Sequence, residues 1–165
     1  DKIAANGTPL KDVVGDSPNY GIKTGLNEAF LIDTATKERL VSNDPGSAEI
    51  IKPYVRGEDI DRWLPDWRDL WMIGLKSSAN HSWPWSGIED ERQAEDVFAR
   101  TYPSIYAHFK PLEVRLRKRQ DRGTYWWELR SCSYYDKITN PKIVYQVIQY
   151  HLGWGTVRLD TSETL

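Results

Sequence analysis

The run "YPSIYAHFKPLEVRLRKRQDRG" constrains this chain more than any other stretch. Ile105, Phe109, Leu112 and Leu116 are spaced 4, 3 and 4, which puts four apolar side chains on one face of a helix. Pro103 stands where a first helical turn accepts proline. Pro111 falls inside the pattern, where its missing N–H calls for a kink or a restart. The same run carries Arg115, Arg117, Lys118 and Arg119. If the helix continues to Arg122, then Arg115, Lys118 and Arg122, spaced 3 and 4, form a cationic stripe beside the buried face. Gly123 stops the helix, and Tyr125, Trp126 and Trp127 begin an extended or turn segment that ends at Arg130. Cations followed at once by aromatics make a surface that can neutralise phosphates and lean rings on sugars or bases. The plain alternative is a solvated charged face.

Charge distribution sharpens this reading. Residues 1–109 hold 12 Lys and Arg against 18 Asp and Glu, residues 110–130 hold 7 against 3, and residues 131–165 hold 3 against 3. One short segment of net +4 therefore sits in a chain of net −2. The total argues against a generic nucleic-acid binder, but screening over about 10 Å makes local charge the quantity a polyanion meets.

The remaining elements read as one α+β domain. "NEAFLID" is expected as a strand and "TATKERLVSN" as a helix capped by Asp33 or Thr34. "DPGS" is a turn, after which Ser47 caps one helical turn, "AEII", ended by Pro53. Arg56 projects from a turn marked by Gly57. "RDLWMIGL" is apolar enough for a central strand. Trp83 and Trp85, flanking Pro84, are expected to pack back on the domain. "IEDERQAEDVFART" is a helix with acids at its start and Arg100 at its end, matching the dipole. "PKIVYQVIQY" is the last strong strand, and "GWGTVRLD" starts one more hairpin arm. Residues 1–19 are expected to be a linker or lead-in arm and residues 20–165 the domain. The chain starts on Asp1 and stops at "TSETL" without a closing element, so it is expected to be an excised piece, cut short at its C-terminus.

Catalytic patterns are missing. There is no Gly-x-Ser-x-Gly elbow, no His-Glu-x-x-His and no glycine-rich dinucleotide fingerprint. The single Cys132 excludes an internal disulfide and reads as a partly buried thiol in a reducing compartment. His81, His108 and His151 lack metal-ligand spacing. "GEDIDRW" offers Glu58, Asp59 and Asp61 to a metal, the basis of a nuclease alternative. No secretion signal or membrane-length apolar run is seen, so the expected location is cytoplasmic.

"GIKTGLNEAFLID" raises a separate question. Its lysine precedes the second glycine, so it is no triphosphate loop. Lys23 and Thr24 on a glycine-flanked turn can approach a phosphate by charge and hydroxyl. Asn27 suits adenine's adjacent donor and acceptor. The plain reading is that Gly21 and Gly25 only shape the turn.

Taken in order, "GIKTGLNEAFLID", "DPGSAEIIKPYVRGEDIDRW", "YPSIYAHFKPLEVRLRKRQDRGTYWWELR" and "NPKIVYQVIQY" resemble the TaqI-like C-terminal specificity domain of adenine-specific DNA methyltransferases and combined restriction–modification enzymes. The resemblance covers roughly residues 20–150. It implies a prokaryotic protein in which this domain follows a methyltransferase domain. That domain uses S-adenosylmethionine to methylate the amino group of an adenine flipped out of the duplex. The specificity domain would clamp double-stranded DNA and read base edges. The Asn-Pro-Pro-Tyr signature and the cofactor-binding glycines are absent. The chain itself is therefore expected to be non-catalytic and to hold no cofactor, with magnesium entering only if the parent enzyme also cleaves DNA.

The expected fold is a mixed, mostly antiparallel sheet with helices grouped to one side. Expected phosphate contacts are Lys23, Thr24, Arg115, Lys118, Arg119 and Arg122. Arg56, Arg130 and Asn27 are candidates for base or groove contact, with Tyr125 and Trp126 supporting that surface. Besides the nuclease, a protein-interaction module anchored by Trp and Tyr is the other alternative.

Overall fold

The computed structural model describes residues 6–9, 12–13, 19–60, 65–138, 142–144 and 158–160. Much of the 1–19 arm, Asp61, most of "PKIVYQVIQY" and the "TSETL" end lie outside the described residues.

The fold is α+β. A three-stranded antiparallel sheet is built from β1 (Leu31–Asp33), β2 (Ile51–Pro53) and β3 (Leu70–Ile73), with β3 in the centre. The apolar "LWMI" run takes the position flanked by strands on both sides, as its composition requires. Leu31 pairs with Met72 on one side of β3, and Ile51 with Ile73 on the other. Pro53, which has no N–H to give, ends an edge strand. A separate antiparallel pair joins β4 (Lys142–Val144) to β5 (Arg158–Asp160), so the expected late hairpin pairing is present.

Two local expectations are corrected. Asn27–Phe30 is a helical turn, α1, and only Leu31–Asp33 is strand. Ala29 and Phe30 are adjacent and both 0% exposed, which a strand burying one face does not provide but a helical turn wedged into the core does. The segment Pro45–Glu49 is a 3-10 helix and Ile51–Pro53 a strand, so "AEII" is not a helical turn capped by Ser47. Ser47 is buried and donates its hydroxyl to Asp44 at 2.6 Å.

The longer helices follow their sequence signals. In α2 (Thr34–Asn43), Asp33 is the cap and accepts from the Thr36 N–H at 2.8 Å. In α3 (Glu91–Thr101), Asp90 plays the same part for Arg92 at 2.9 Å. Pro103 opens α4 (Pro103–Phe109). Pro111 converts Lys110–Leu112 to a 3-10 turn before the helix restarts as α5 (Glu113–Arg117). Ile105, Phe109 and Leu116 are fully buried, so the 4-3-4 face survives the break.

The helix does not reach Arg122. It ends at Arg117, closed by Lys118 N–H to Arg115 O at 3.2 Å and Arg119 N–H to Leu116 O at 3.3 Å. The chain then doubles back, with Gly123 N–H on Glu128 O at 3.3 Å. A Cβ at Gly123 would stand 2.5 Å from Leu129 O, so this fold-back needs glycine. It drives Tyr125, Trp126 and Trp127 inward, to 5%, 0% and 0% exposure. Trp127 stacks between Phe98 at 5.0 Å and Tyr125 at 4.8 Å. Trp83 and Trp85 do pack back on the domain, with their rings stacked at 5.1 Å and 9°.

Candidate nucleic-acid interface

The basic segment is held by acids from elsewhere in the chain. Arg117 pairs with Glu91, with Glu113 at 2.7 Å and with Glu95 at 3.5 Å. Lys110 reaches Glu95 and Glu113, both at 2.7 Å. Arg115 pairs with Glu28, and Arg130 with Asp121 at 3.2 Å. The excess charge of residues 110–130 is thus largely met inside the molecule. Lys118 and Arg122 remain exposed, with no ion pair to a described residue. The expected helical stripe of Arg115, Lys118 and Arg122 is replaced by two exposed cations beyond the helix end and one arginine already paired.

Arg119 is not a surface cation. It is 7% exposed and donates to five backbone carbonyls: Leu116, Thr24, Asp121, Trp126 and Glu128, at 3.1, 2.6, 3.3, 2.7 and 2.8 Å. Its guanidinium also lies 4.7 Å from the Phe30 ring centroid. Burial, helped by the nearby Arg122 charge, pulls its pKa down to about 10, which leaves it charged at neutral pH. A guanidinium has the five donors this arrangement needs, whereas lysine has three.

Arg119 joins the two segments that sequence reading singled out separately. One nitrogen, Nη1, donates to both Thr24 O and Asp121 O. Gly25 packs against the same place in a left-handed conformation, φ +66°, and a Cβ there would stand 3.1 Å from Asp121 O. Gly25 is therefore required by both backbone shape and close approach, while a Cβ at Gly21 would meet nothing within 4 Å.

The result is an open hollow of about 560 Å³ lined by residues 22–27 and Asp121. Ile22 and Thr24 point inward and Lys23 outward, the alternation of an extended segment. Thr24 is 3% exposed and donates its hydroxyl to Asn27 Oδ1 at 2.5 Å. It is therefore not presented to a phosphate as expected. Lys23 and Asn27 are exposed on the hollow. Arg130 pairs with Asp121 of the lining, and Arg115 with Glu28, the residue that follows Asn27. Contacts thus link Arg119 and Arg130 through Asp121, and Arg119 to Asn27 through Thr24, while Lys23 shares the hollow's lining and Arg115 pairs with Glu28 next to Asn27 in the chain.

Tyr125 and Trp126 are core residues. The Tyr125 hydroxyl donates to Ile88 O at 2.7 Å and Trp85 O at 3.0 Å, and Trp126 Nε1 donates to Glu95 at 3.2 Å. They shape the surface from beneath and do not flank a ligand. Arg56 stands apart, exposed and paired with Glu58 at 2.5 Å, with no described contact to the hollow. Asp121 and Glu28 went unmarked in the sequence. An acid inside a basic run was the available signal for Asp121.

The nuclease alternative meets a different arrangement. Asp59 is 2% exposed, accepts from the Arg56 N–H at 3.0 Å, and has Arg68 Nε 3.5 Å from its other oxygen. Among the described residues no group of three or more His, Cys, Asp and Glu side chains is placed to hold a metal ion, Asp61 lying outside them. Nor, among those residues, is any helix long and apolar enough to cross a membrane. No protein-family model matches the chain, and no curated protein matches it.

Proposed function

We propose that this chain recognises double-stranded DNA, as the specificity domain that accompanies an S-adenosylmethionine-dependent adenine methyltransferase or a combined restriction–modification enzyme. The observation that carries the reading is the junction made by Arg119: it seats the Gly21–Asn27 segment against the 115–130 segment on one face. These are two of the four stretches in which the resemblance to such domains lies. In these two segments the exposed cations with no ion pair to a described residue are Lys23, Lys118 and Arg122. They would contact phosphates, while Asn27 faces the hollow between. The cofactor would belong to the neighbouring methyltransferase domain.

The protein-interaction reading anchored by Trp and Tyr has less support. Trp85, Trp126 and Trp127 are fully buried, and of the described tryptophans and tyrosines only Trp67, at 39%, and Tyr20, at 67%, are exposed.

Salt-dependent binding of the chain to a short duplex tests the proposal. Each phosphate contact contributes about 0.9 to the slope of log affinity against log salt. The triple variant Lys23→Ala, Lys118→Ala, Arg122→Ala should weaken binding on every sequence and lower the slope by about 3. An unchanged slope and affinity would remove these residues from the interface. An absence of duplex binding by the unaltered chain would remove the function.

A further inference from the structure

We propose that the hollow bounded by Lys23, Thr24, Asn27 and Asp121 reads the major-groove edge of an adenine, with Thr24 as the residue that orients the reader. The inference rests on the DNA-recognition reading above and adds the chemistry of the contact.

The lining is unsuited to a phosphate. Asp121 is a carboxylate on its wall, and the Thr24 hydroxyl is already committed to Asn27. Apart from the Lys23 ammonium, assigned above to a phosphate, the lining offers the Asn27 amide as donor and the Asp121 carboxylate as acceptor. The bond from Thr24 occupies Asn27 Oδ1 and leaves the Nδ2 amine without a described partner. Asp121 Oδ1 accepts from Arg130 at 3.2 Å, and its second oxygen has no described donor. Both residues line the hollow, and in the proposal this amide N–H and this carboxylate oxygen together complement an edge that sets a ring acceptor beside an exocyclic amine.

Adenine has that edge, with N7 accepting and N6 donating. Guanine presents N7 and O6, two acceptors, and O6 would face the carboxylate. Thymine presents O4 and a methyl group. Cytosine presents N4 with no acceptor of its own, and the acceptor beside it is O6 of its guanine partner. Adenine is the one base that carries both complements on its own edge, where the guanine–cytosine pair splits them between two bases.

The orientation is held from inside the domain. Arg119 Nη1 grips Thr24 O at 2.6 Å and Asp121 O at 3.3 Å, so one buried cation fixes the backbone beneath both reading groups. Thr24 is buried and touches Asn27, and its part is to position the amide.

The experiment uses the full chain. Duplexes retained from a randomised pool are sequenced, and the adenine in the recovered site is replaced first by 7-deazaadenine, which lacks the N7 acceptor, and then by purine, which lacks the N6 amine. The expected result is a fixed adenine and a loss of about 10-fold in affinity with each analogue. In Asn27→Ala the 7-deaza penalty should vanish while the purine penalty stays, and in Asp121→Ala the reverse. Thr24→Val should shrink the 7-deaza penalty, and Thr24→Ser, which keeps the hydroxyl, should restore it. Retention of duplexes with no fixed adenine, or full tolerance of both analogues, overturns this inference and leaves the DNA-recognition reading standing. A full 7-deaza penalty in Thr24→Val overturns the role of Thr24. Failure to retain any duplex overturns both readings together.

Discussion

Arg119 donates to the backbone carbonyl of Glu128 at 2.8 Å, not to its carboxylate. Both side chains are buried, and each charge is met by dipoles of its own choosing. Arg119 is surrounded by carbonyl oxygens. Glu128, 0% exposed, accepts from Ser78 N–H at 3.1 Å, Thr124 N–H at 2.9 Å, Tyr125 N–H at 3.3 Å and Trp85 Nε1 at 2.9 Å, and also from the Ser78 hydroxyl. The residues that tie the 119–130 fold-back to the rest of the domain are therefore two buried ions solvated by the backbone and neighbouring side chains.

Arg119→Lys should destabilise the chain by about 1–3 kcal/mol for each buried carbonyl that it leaves without a donor. The ammonium keeps the charge but cannot reach five carbonyls spread over residues 24 to 128. Denaturant unfolding measures this, and a loss under about 1 kcal/mol would show that water satisfies those carbonyls instead.

Glu128→Gln is nearly isosteric and should still cost about 1–3 kcal/mol. One glutamine oxygen can serve the Ser78, Thr124 and Tyr125 N–H groups. The amine would then face the Trp85 indole N–H, donor against donor. Thermal unfolding of Glu128→Gln beside the double variant with Trp85→Phe tests the clash, because removing the indole N–H should recover part of the loss.

Gly25→Ala and Gly21→Ala should behave oppositely. At Gly25 the left-handed φ costs about 1–2 kcal/mol, before the contact with Asp121 is counted. At Gly21 there is open space, and alanine should be neutral or stabilising by up to about 1 kcal/mol. Equal effects at the two sites would contradict the seating of Gly25 on Asp121.

Stability should fall as pH drops below the ordinary histidine value of 6.5, through His108. Burial lowers its pKa, the Ala29 carbonyl 3.0 Å from Nε2 opposes that, and Arg39 adds to the lowering. The folded chain resists a proton that the unfolded chain accepts. The stabilisation is therefore complete above 6.5 and is lost as pH falls through the lowered folded value. His108→Gln should make the curve shallower there, the remaining slope coming from His81, whose pKa burial also lowers. Glu95 gives a separate loss at lower pH. Burial pushes its pKa up, but hydrogen bonds from Lys110, Tyr106 and Trp126 outweigh this and hold it below 4.5.

The elements with local causes were legible in the sequence. Asp33 and Asp90 announce helix starts, Pro103 and Pro111 a start and a break, and "LWMI" a central strand. The candidate site was legible in its segments but not in the placement of its side chains. A run such as Arg117-Lys118-Arg119 looks uniformly solvated, yet its third member is internal because carbonyls from residues 24, 126 and 128 converge on it. Helix periodicity could not place the stop at Arg117, since that stop depends on the fold-back through Gly123. The burial of Tyr125 and Trp126 has the same origin, a tertiary contact that no local pattern encodes.

The two indoles of Trp83 and Trp85 lie across Pro84 with ring centres 5.1 Å apart and planes 9° from parallel. Chromophores this close share their electronic excitation. The pair should produce a coupled band in circular dichroism, overlapping the region normally read as helix content. The Trp67–Trp71 and Trp126–Trp127 pairs, at 5.1 and 5.4 Å, add to the same region, so the part of the band that Trp83→Phe removes is the share of the loop that joins the sheet to the helices, and its loss on heating would time the undocking of this loop separately from the melting of the helices.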